Sequence, residues 1–214
     1  MDKQMDAHEL REYDIRRTAA FRKTTEEWGG LSNMAGGYSL CVNGINIQSS
    51  ESLYQACRFP EHPDVQKIIL EQSSPMIAKR LGKPHLGKTR LDWDSSRIVI
   101  MKWCLRVKLA QNWDKFSSLL VATNGMDIVE LSRKDDFWGV KHVSGDIYLG
   151  VNALGRLLMQ LRDFVCRYEK EHFMLVPPPK LNDFKLFGQD IGVVKASDKI
   201  ISPKSLVGDL FGDN

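Results

Sequence analysis

Glu130, then Asp135-Asp136-Phe137-Trp138-Gly139, then Gly150-Val151-Asn152-Ala153-Leu154-Gly155-Arg156 running into Leu157-Leu158-Met159-Gln160-Leu161-Arg162: this stretch decides how the chain is read. A candidate strand, Ile128-Val129-Glu130-Leu131, leads to two adjacent carboxylates beside a large aromatic and a glycine. Asn152 then opens an apolar helix, and as its N-cap it would accept a bond from a free backbone N–H of the first turn. Gly155 has no Cβ, so another backbone or a ligand can come close there. A helix N-terminus with open donors beside an acidic, aromatic-walled turn suits a negatively charged or sugar-bearing ligand. A capped helix after an acidic turn is the plainer reading of the same residues.

Outward from this stretch the pattern is mostly helical. Tyr38–Val42 and Ile45–Gln48 alternate around Asn43-Gly44, a hairpin signal. Ser49 or Ser50 caps a helix to about Phe59, with Pro60 ending it. A second helix spans 63–72, and a third starts at Pro75 and stops at Gly82. From Trp93 to Gln111, Ile98, Met101, Leu105 and Lys108 form one stripe while Val99, Trp103 and Val107 lie on other faces, so wide burial is expected. A shorter helix (113–122), the candidate strand near Ile128, a small hairpin within 139–149 and a long helix over 152–171 complete the main body. The fold class is α+β: a mostly helical single domain (21–171) around a small, largely antiparallel sheet. It has an N-terminal arm (1–20), as a short helix or extended segment, and a C-terminal extension (172–214). The extension begins stiffly at Pro177-Pro178-Pro179. Its Phe184, Leu186, Phe187, Ile191, Val193 and Val194 offer enough apolar surface to dock but too little for a separate core, and 206–211 reads as a docking peptide or a small packed element.

Composition excludes several classes. At 214 residues, 43% hydrophobic and 27% charged, the chain is ordinary for a soluble globular protein. A net charge of +3 is too small to imply nucleic acid by itself. No apolar run approaches the roughly 20 residues that span a bilayer, and the polar, acidic start is no signal peptide. Cys41, Cys57, Cys104 and Cys166 are scattered, as are the histidines, so no metal site is expected and a reducing cytoplasm fits.

Further blocks lie in order along the chain: Gly29-Gly30-Leu31-Ser32-Asn33-Met34, Ser50-Glu51-Ser52-Leu53-Tyr54-Gln55-Ala56-Cys57-Arg58-Phe59, Pro75 to Gly82, Asp92-Trp93-Asp94 and Met101 to Lys108. Together with the opening stretch they resemble the NADAR, or YbiA-like, family, whose name refers to NAD and ADP-ribose. The resemblance runs from about Phe21 to about Arg162. It implies a YbiA-like fold and hydrolysis of the N-glycosidic bond between ribose C1 and a nitrogenous base, with no cofactor or metal. Activities known in the family include cleavage of phosphoribosylamino-pyrimidine intermediates of riboflavin synthesis and removal of ADP-ribose from guanine bases. The implied partner is therefore a nucleotide-like small molecule or an ADP-ribosylated base. Two other classes stay open: a non-catalytic ADP-ribose or NAD sensor, and a protein whose substrate base sits in nucleic acid.

The resemblance also nominates residues. Glu51 is a dipole-complementing first-turn acid or a site carboxylate, and the family pattern, with Gln55 one turn on and on the same face, favours the site. Asp136 and Trp138, followed by Gly139, read as a carboxylate beside a wall for a base or ribose. Trp93 is a second wall or a plain core anchor. Glu51 and Asp136 would divide the acid and stabilising roles. Arg58 stands where the family commonly has lysine; it can fork onto phosphate but cannot form a Schiff base with an opened sugar. Lys79 and Lys108 are the amines left for that chemistry, and Lys108 reads equally as a snorkelling residue on an apolar stripe. Phosphate contacts would fall to Arg58, Arg156, Lys79, Arg80 and the helix start at Asn152, and ribose contacts to Ser32 and Asn33.

Overall fold

The computed structural model describes residues 9–199; the terminal motif at 206–211 lies outside them. Strands β1 (Arg11–Asp14) and β2 (Thr18–Phe21) come first, then the hairpin β3 (Leu40–Val42) and β4 (Ile45–Ile47). Helices α1 (Ser50–Ala56), α2 (Pro63–Leu70), α3 (Pro75–Gly82), α4 (Trp93–Gln111) and α5 (Trp113–Ala122) follow. Strands β5 (Asp127–Glu130), β6 (Lys141–Ser144) and β7 (Ile147–Gly150) lead into α6 (Ala153–Val165). Short strands β8 (Leu175–Val176), β9 (Lys185–Leu186), β10 (Gln189–Asp190) and β11 (Val194–Lys195) close the described chain.

Local chemistry explains the boundaries. Asn43 and Gly44 have φ of 50° and 75°, the left-handed pair that a tight two-residue hairpin turn needs. The Ser49 side chain accepts from Ser52 N at 3.1 Å and caps α1. Helices α2 and α3 each begin at a proline, whose missing N–H is no loss in a first turn. The last helix is shorter than its sequence pattern, ending at Val165 instead of near 171. Its apolar stripe runs out after Val165, and residues 166–172 are exposed, so no packing sustains another turn.

The α+β class holds, but no single sheet sits at the centre. Among the described residues the strands form one three-stranded antiparallel sheet, ordered β1-β7-β6, and four two-stranded pieces, of which β2-β5 is parallel. The N-terminal arm is thus extended and paired from Arg11 onward, with Tyr13 opposite Tyr148. The centre belongs to α4. Ile100, Trp103, Cys104, Leu105, Val107 and Leu109 are all buried, around the whole helix, while Val99 points outward. Phe184, Leu186, Ile191 and Val194 of the C-terminal segment join the same core. Two buried glutamines tie that segment down. Gln66 donates to the carbonyls of Ala56 and Lys185 and accepts from Phe187 N. Gln111 accepts from Cys41 N and donates to the carbonyls of Cys41 and Lys195. No helix among the described residues is long and apolar enough to cross a membrane.

Candidate active site

A cleft of about 430 Å³ opens between α1, α4, the loop at 32–34 and the end of β5. Helix α1 supplies Glu51, Tyr54 and Gln55, and Arg58 follows one turn later; this i, i+3, i+4, i+7 spacing puts all four on one face. Helix α4 supplies Trp93, Asp94, Arg97 and Met101 by the same rule. Lys79 reaches in from α3, Glu130 and Leu131 come from the end of β5, and Asp135, Phe137 and Trp138 from the loop beyond it. Ser32 and Asn33 complete the wall.

Glu51 is buried. Its Oε1 accepts from Gln55 Nε2 at 2.9 Å and lies 3.7 Å from the Lys79 ammonium. Its backbone N–H donates to the Asn33 carbonyl, and the Ser50 hydroxyl donates to that carbonyl as well, so the 32–34 loop is tied to α1. Glu130 is the second carboxylate. Its carboxyl is raised from 4.5 to about 7: burial contributes most, the charges of Glu51 and Asp135 add to the rise, and Lys79 opposes it. The aromatic wall is continuous. Tyr54 meets Trp93 at 5.1 Å and Trp138 at 5.7 Å between ring centroids, and Trp138 meets Phe137 at 5.1 Å. Burial raises the Tyr54 hydroxyl far above its usual range, so it stays neutral.

Several expected residues take other places. The paired carboxylates at 135 and 136 diverge. Asp135 accepts from the N–H groups of Phe137 and Trp138 and shapes the turn that sets the tryptophan, whereas Asp136 lies outside the cleft on Lys141 at 2.5 Å. Asn152 makes no cap bond. It is fully buried at φ 52°, donates to the Ile128 carbonyl at 2.8 Å and accepts from Glu130 N at 3.4 Å, which fixes β5. The helix start is not open either, because Ala153 N and Leu154 N donate to the carbonyls of Phe137 and Trp138. That arrangement hangs the 136–139 loop on α6, and it satisfies the donors an anion would need. Gly155 is where another backbone comes close: a Cβ there would fall on the Ile128 carbonyl oxygen. Gly139 likewise packs on the Glu130 carbonyl and forms no part of the cleft wall.

Lys108 is no cleft amine. It is fully buried, donates to the carbonyls of Gly30 (2.7 Å) and Ser32 (3.0 Å), and lies over the rings of Tyr38 and Phe116. Burial holds its ammonium well below the usual lysine range. Its work is to hold the loop that presents Ser32 and Asn33. Arg156 is buried in α6 away from the cleft. Sequence reasoning missed Tyr54, Arg97, Glu130 and Asp135 as cleft residues. The signals were there: Tyr54 and Arg97 share helix faces with Glu51 and Trp93, and Glu130 is a carboxylate ending an apolar strand. Among the described residues no group of three or more His, Cys, Asp and Glu side chains stands where it could hold a metal ion.

Comparison with known proteins agrees with the fold. The NADAR domain model matches residues 20–165. The N-glycosidase YbiA of Escherichia coli (strain K12) is 34% identical over 143 residues, which is 67% of this chain and 85% of that protein. A riboflavin biosynthesis protein of Vibrio vulnificus is 33% identical over 156 residues, 71% of this chain and 41% of that protein. The NMR structure of the E. coli protein YbiA superposes with a TM-score of 0.60 at 31% identity, covering 76% of this chain and 90% of that one.

Proposed function

The chain belongs to the NADAR family, and from that premise we propose that it is an N-glycosidase, hydrolysing the bond between ribose C1 and a nitrogenous base. The substrate is an ADP-ribosyl or phosphoribosyl compound, such as ADP-ribosylated guanine or a phosphoribosylamino-pyrimidine. One observation supports this reading beyond the names of relatives: two carboxylates share one cleft, and the surroundings of one of them, Glu130, raise its carboxyl to about 7.

Breaking the C1–N bond gives ribose an oxocarbenium-like charge and leaves a basic nitrogen. Glu51, fixed by Gln55 and facing Lys79, supplies the negative charge that stabilises the sugar cation. Glu130, held near 7, is substantially protonated at neutral pH and gives its proton to the departing nitrogen. Water adds its hydroxide to C1, and its proton restores Glu130. Tyr54, Trp93 and Trp138, packed on one another, form a single wall against which the base or ribose lies, and they shield the cation from bulk solvent. Glu130 replaces Asp136 in the pairing read from the sequence, because the Asp136 carboxylate points to Lys141.

The pH profile tests the assignment. The value of kcat/KM should fall as pH rises through about 7, when the Glu130 proton is lost, and Glu130→Gln should remove that limb along with most of the rate. A profile flat across this range in the wild-type protein, or a limb surviving in Glu130→Gln, would contradict the acid role.

A further inference from the structure

The cleft contains two guanidiniums that the glycosidase chemistry does not use. Arg58 lies 4.8 Å over the Trp93 ring, and its Nε donates to the Thr89 hydroxyl at 2.9 Å. Thr89 therefore takes one donor and leaves the two terminal nitrogens of the fork. Arg97 lies 3.8 Å over the Phe137 ring, and its Nε is buried with no hydrogen-bond partner among the described residues. Stacking an arginine on an aromatic face fixes its plane and leaves the edge N–H groups for an in-plane acceptor, the geometry that suits a phosphate. The two charges also repel each other inside the partly buried cleft, with Asp94 as the nearby acid that offsets Arg58. A buried, unpaired donor beside a second cation is an unfavourable arrangement for the empty protein. An anion held by their terminal nitrogens relieves the repulsion. The other candidates for this task are committed elsewhere: Lys79 faces Glu51, Arg156 lies off the cleft, and the N-terminus of α6 is occupied by loop carbonyls.

We propose that Arg58 and Arg97, braced on Trp93 and Phe137, form a clamp for a phosphoryl group on C5 of the substrate's ribose. The proposal rests on the glycosidase reading and adds to it that the substrate is recognised by its phosphate, so that a bare nucleoside is refused. A terminal phosphomonoester and the diphosphate of ADP-ribose both present this group.

Calorimetric titration of the full chain with ribose, ribose 5-phosphate and ADP-ribose tests the clamp without requiring turnover. The wild-type protein should bind at least one phosphorylated probe about tenfold or more tightly over ribose, the range expected for charge-assisted bonds to phosphate. Arg97→Ala and Arg58→Ala should each lose most of that preference, Arg97→Lys should recover part of it, and Lys141→Ala, outside the cleft, should leave it unchanged. Far-UV circular dichroism checks folding, and Arg97→Lys carries the comparison where alanine disturbs it. The probe with the larger Arg97 dependence identifies the source of the phosphoryl group. Equal binding of ribose and both phosphorylated probes, or a preference untouched by Arg97→Ala, overturns the clamp. A preference that depends on Arg97 in a protein that releases no base would uphold the clamp and defeat the glycosidase reading.

Discussion

Replacing Glu130 by glutamine should make the protein more stable at alkaline pH and leave it unchanged in acid. Its carboxyl titrates at about 7 in the folded chain against 4.5 ordinarily. Below 4.5 both folded and unfolded chains carry the proton, and there is no penalty. As pH rises from 4.5 towards 7 the unfolded chain ionises first, so stability is lost progressively, and above 7 the loss is complete. The difference between the two values corresponds to about 3 kcal/mol. Glutamine has the same shape and no charge, so it escapes the loss. For a chain of this size that is a melting-temperature gain of about 6 to 12 °C at pH 8.5, shrinking to about zero at pH 4. Thermal melts of both proteins across this range measure it directly. A difference in melting temperature that stays constant with pH would refute the buried, raised carboxyl and with it the acid role.

Three further outcomes are expected. Gly155→Ala should destabilise by about 2 kcal/mol or more, because its Cβ meets a backbone carbonyl that cannot rotate away; a melt within a degree of wild type would show that β5 and α6 are not in contact there. Asp136→Asn should keep near-wild-type kcat, since the carboxylate lies on Lys141 outside the cleft, and a large drop would return it to the mechanism. Gln66→Leu should lower stability by about 3 kcal/mol, as it strips partners from two carbonyls and one N–H that bind the C-terminal segment to α1 and α2; urea unfolding indistinguishable from wild type would mean the segment is not tied there.

What the sequence made legible was local and periodic. Asn43-Gly44, Ser49, Pro63 and Pro75 each act within a few residues, and the structure places hairpin and helices accordingly. Helix spacing also put Glu51 and Gln55 on one face, and the family resemblance added Arg58 and Trp93; all four line the cleft. Long-range pairing was not legible. Nothing local indicates that β2 lies parallel to β5, or that β1 extends the β6-β7 hairpin, because the partners are more than a hundred residues apart. Asn152 misled for a related reason. Its residue type fits a cap, but its left-handed backbone turns the side chain onto β5, a choice made by tertiary contacts. Asp135 and Asp136 look equivalent in sequence, and only the turn geometry sends one inward and the other to Lys141.

The central claim is that this cleft releases a base from ribose with Glu51 indispensable. The direct measurement is incubation of the full chain with ADP-ribosylated guanine nucleotide and, separately, with the phosphoribosylamino-pyrimidine, following released base by mass spectrometry. The account predicts release from at least one of them that vanishes in Glu51→Gln while the melting curve persists. Release at the wild-type rate in Glu51→Gln would contradict it, and saturable ADP-ribose binding with no release from either compound would make the protein a sensor.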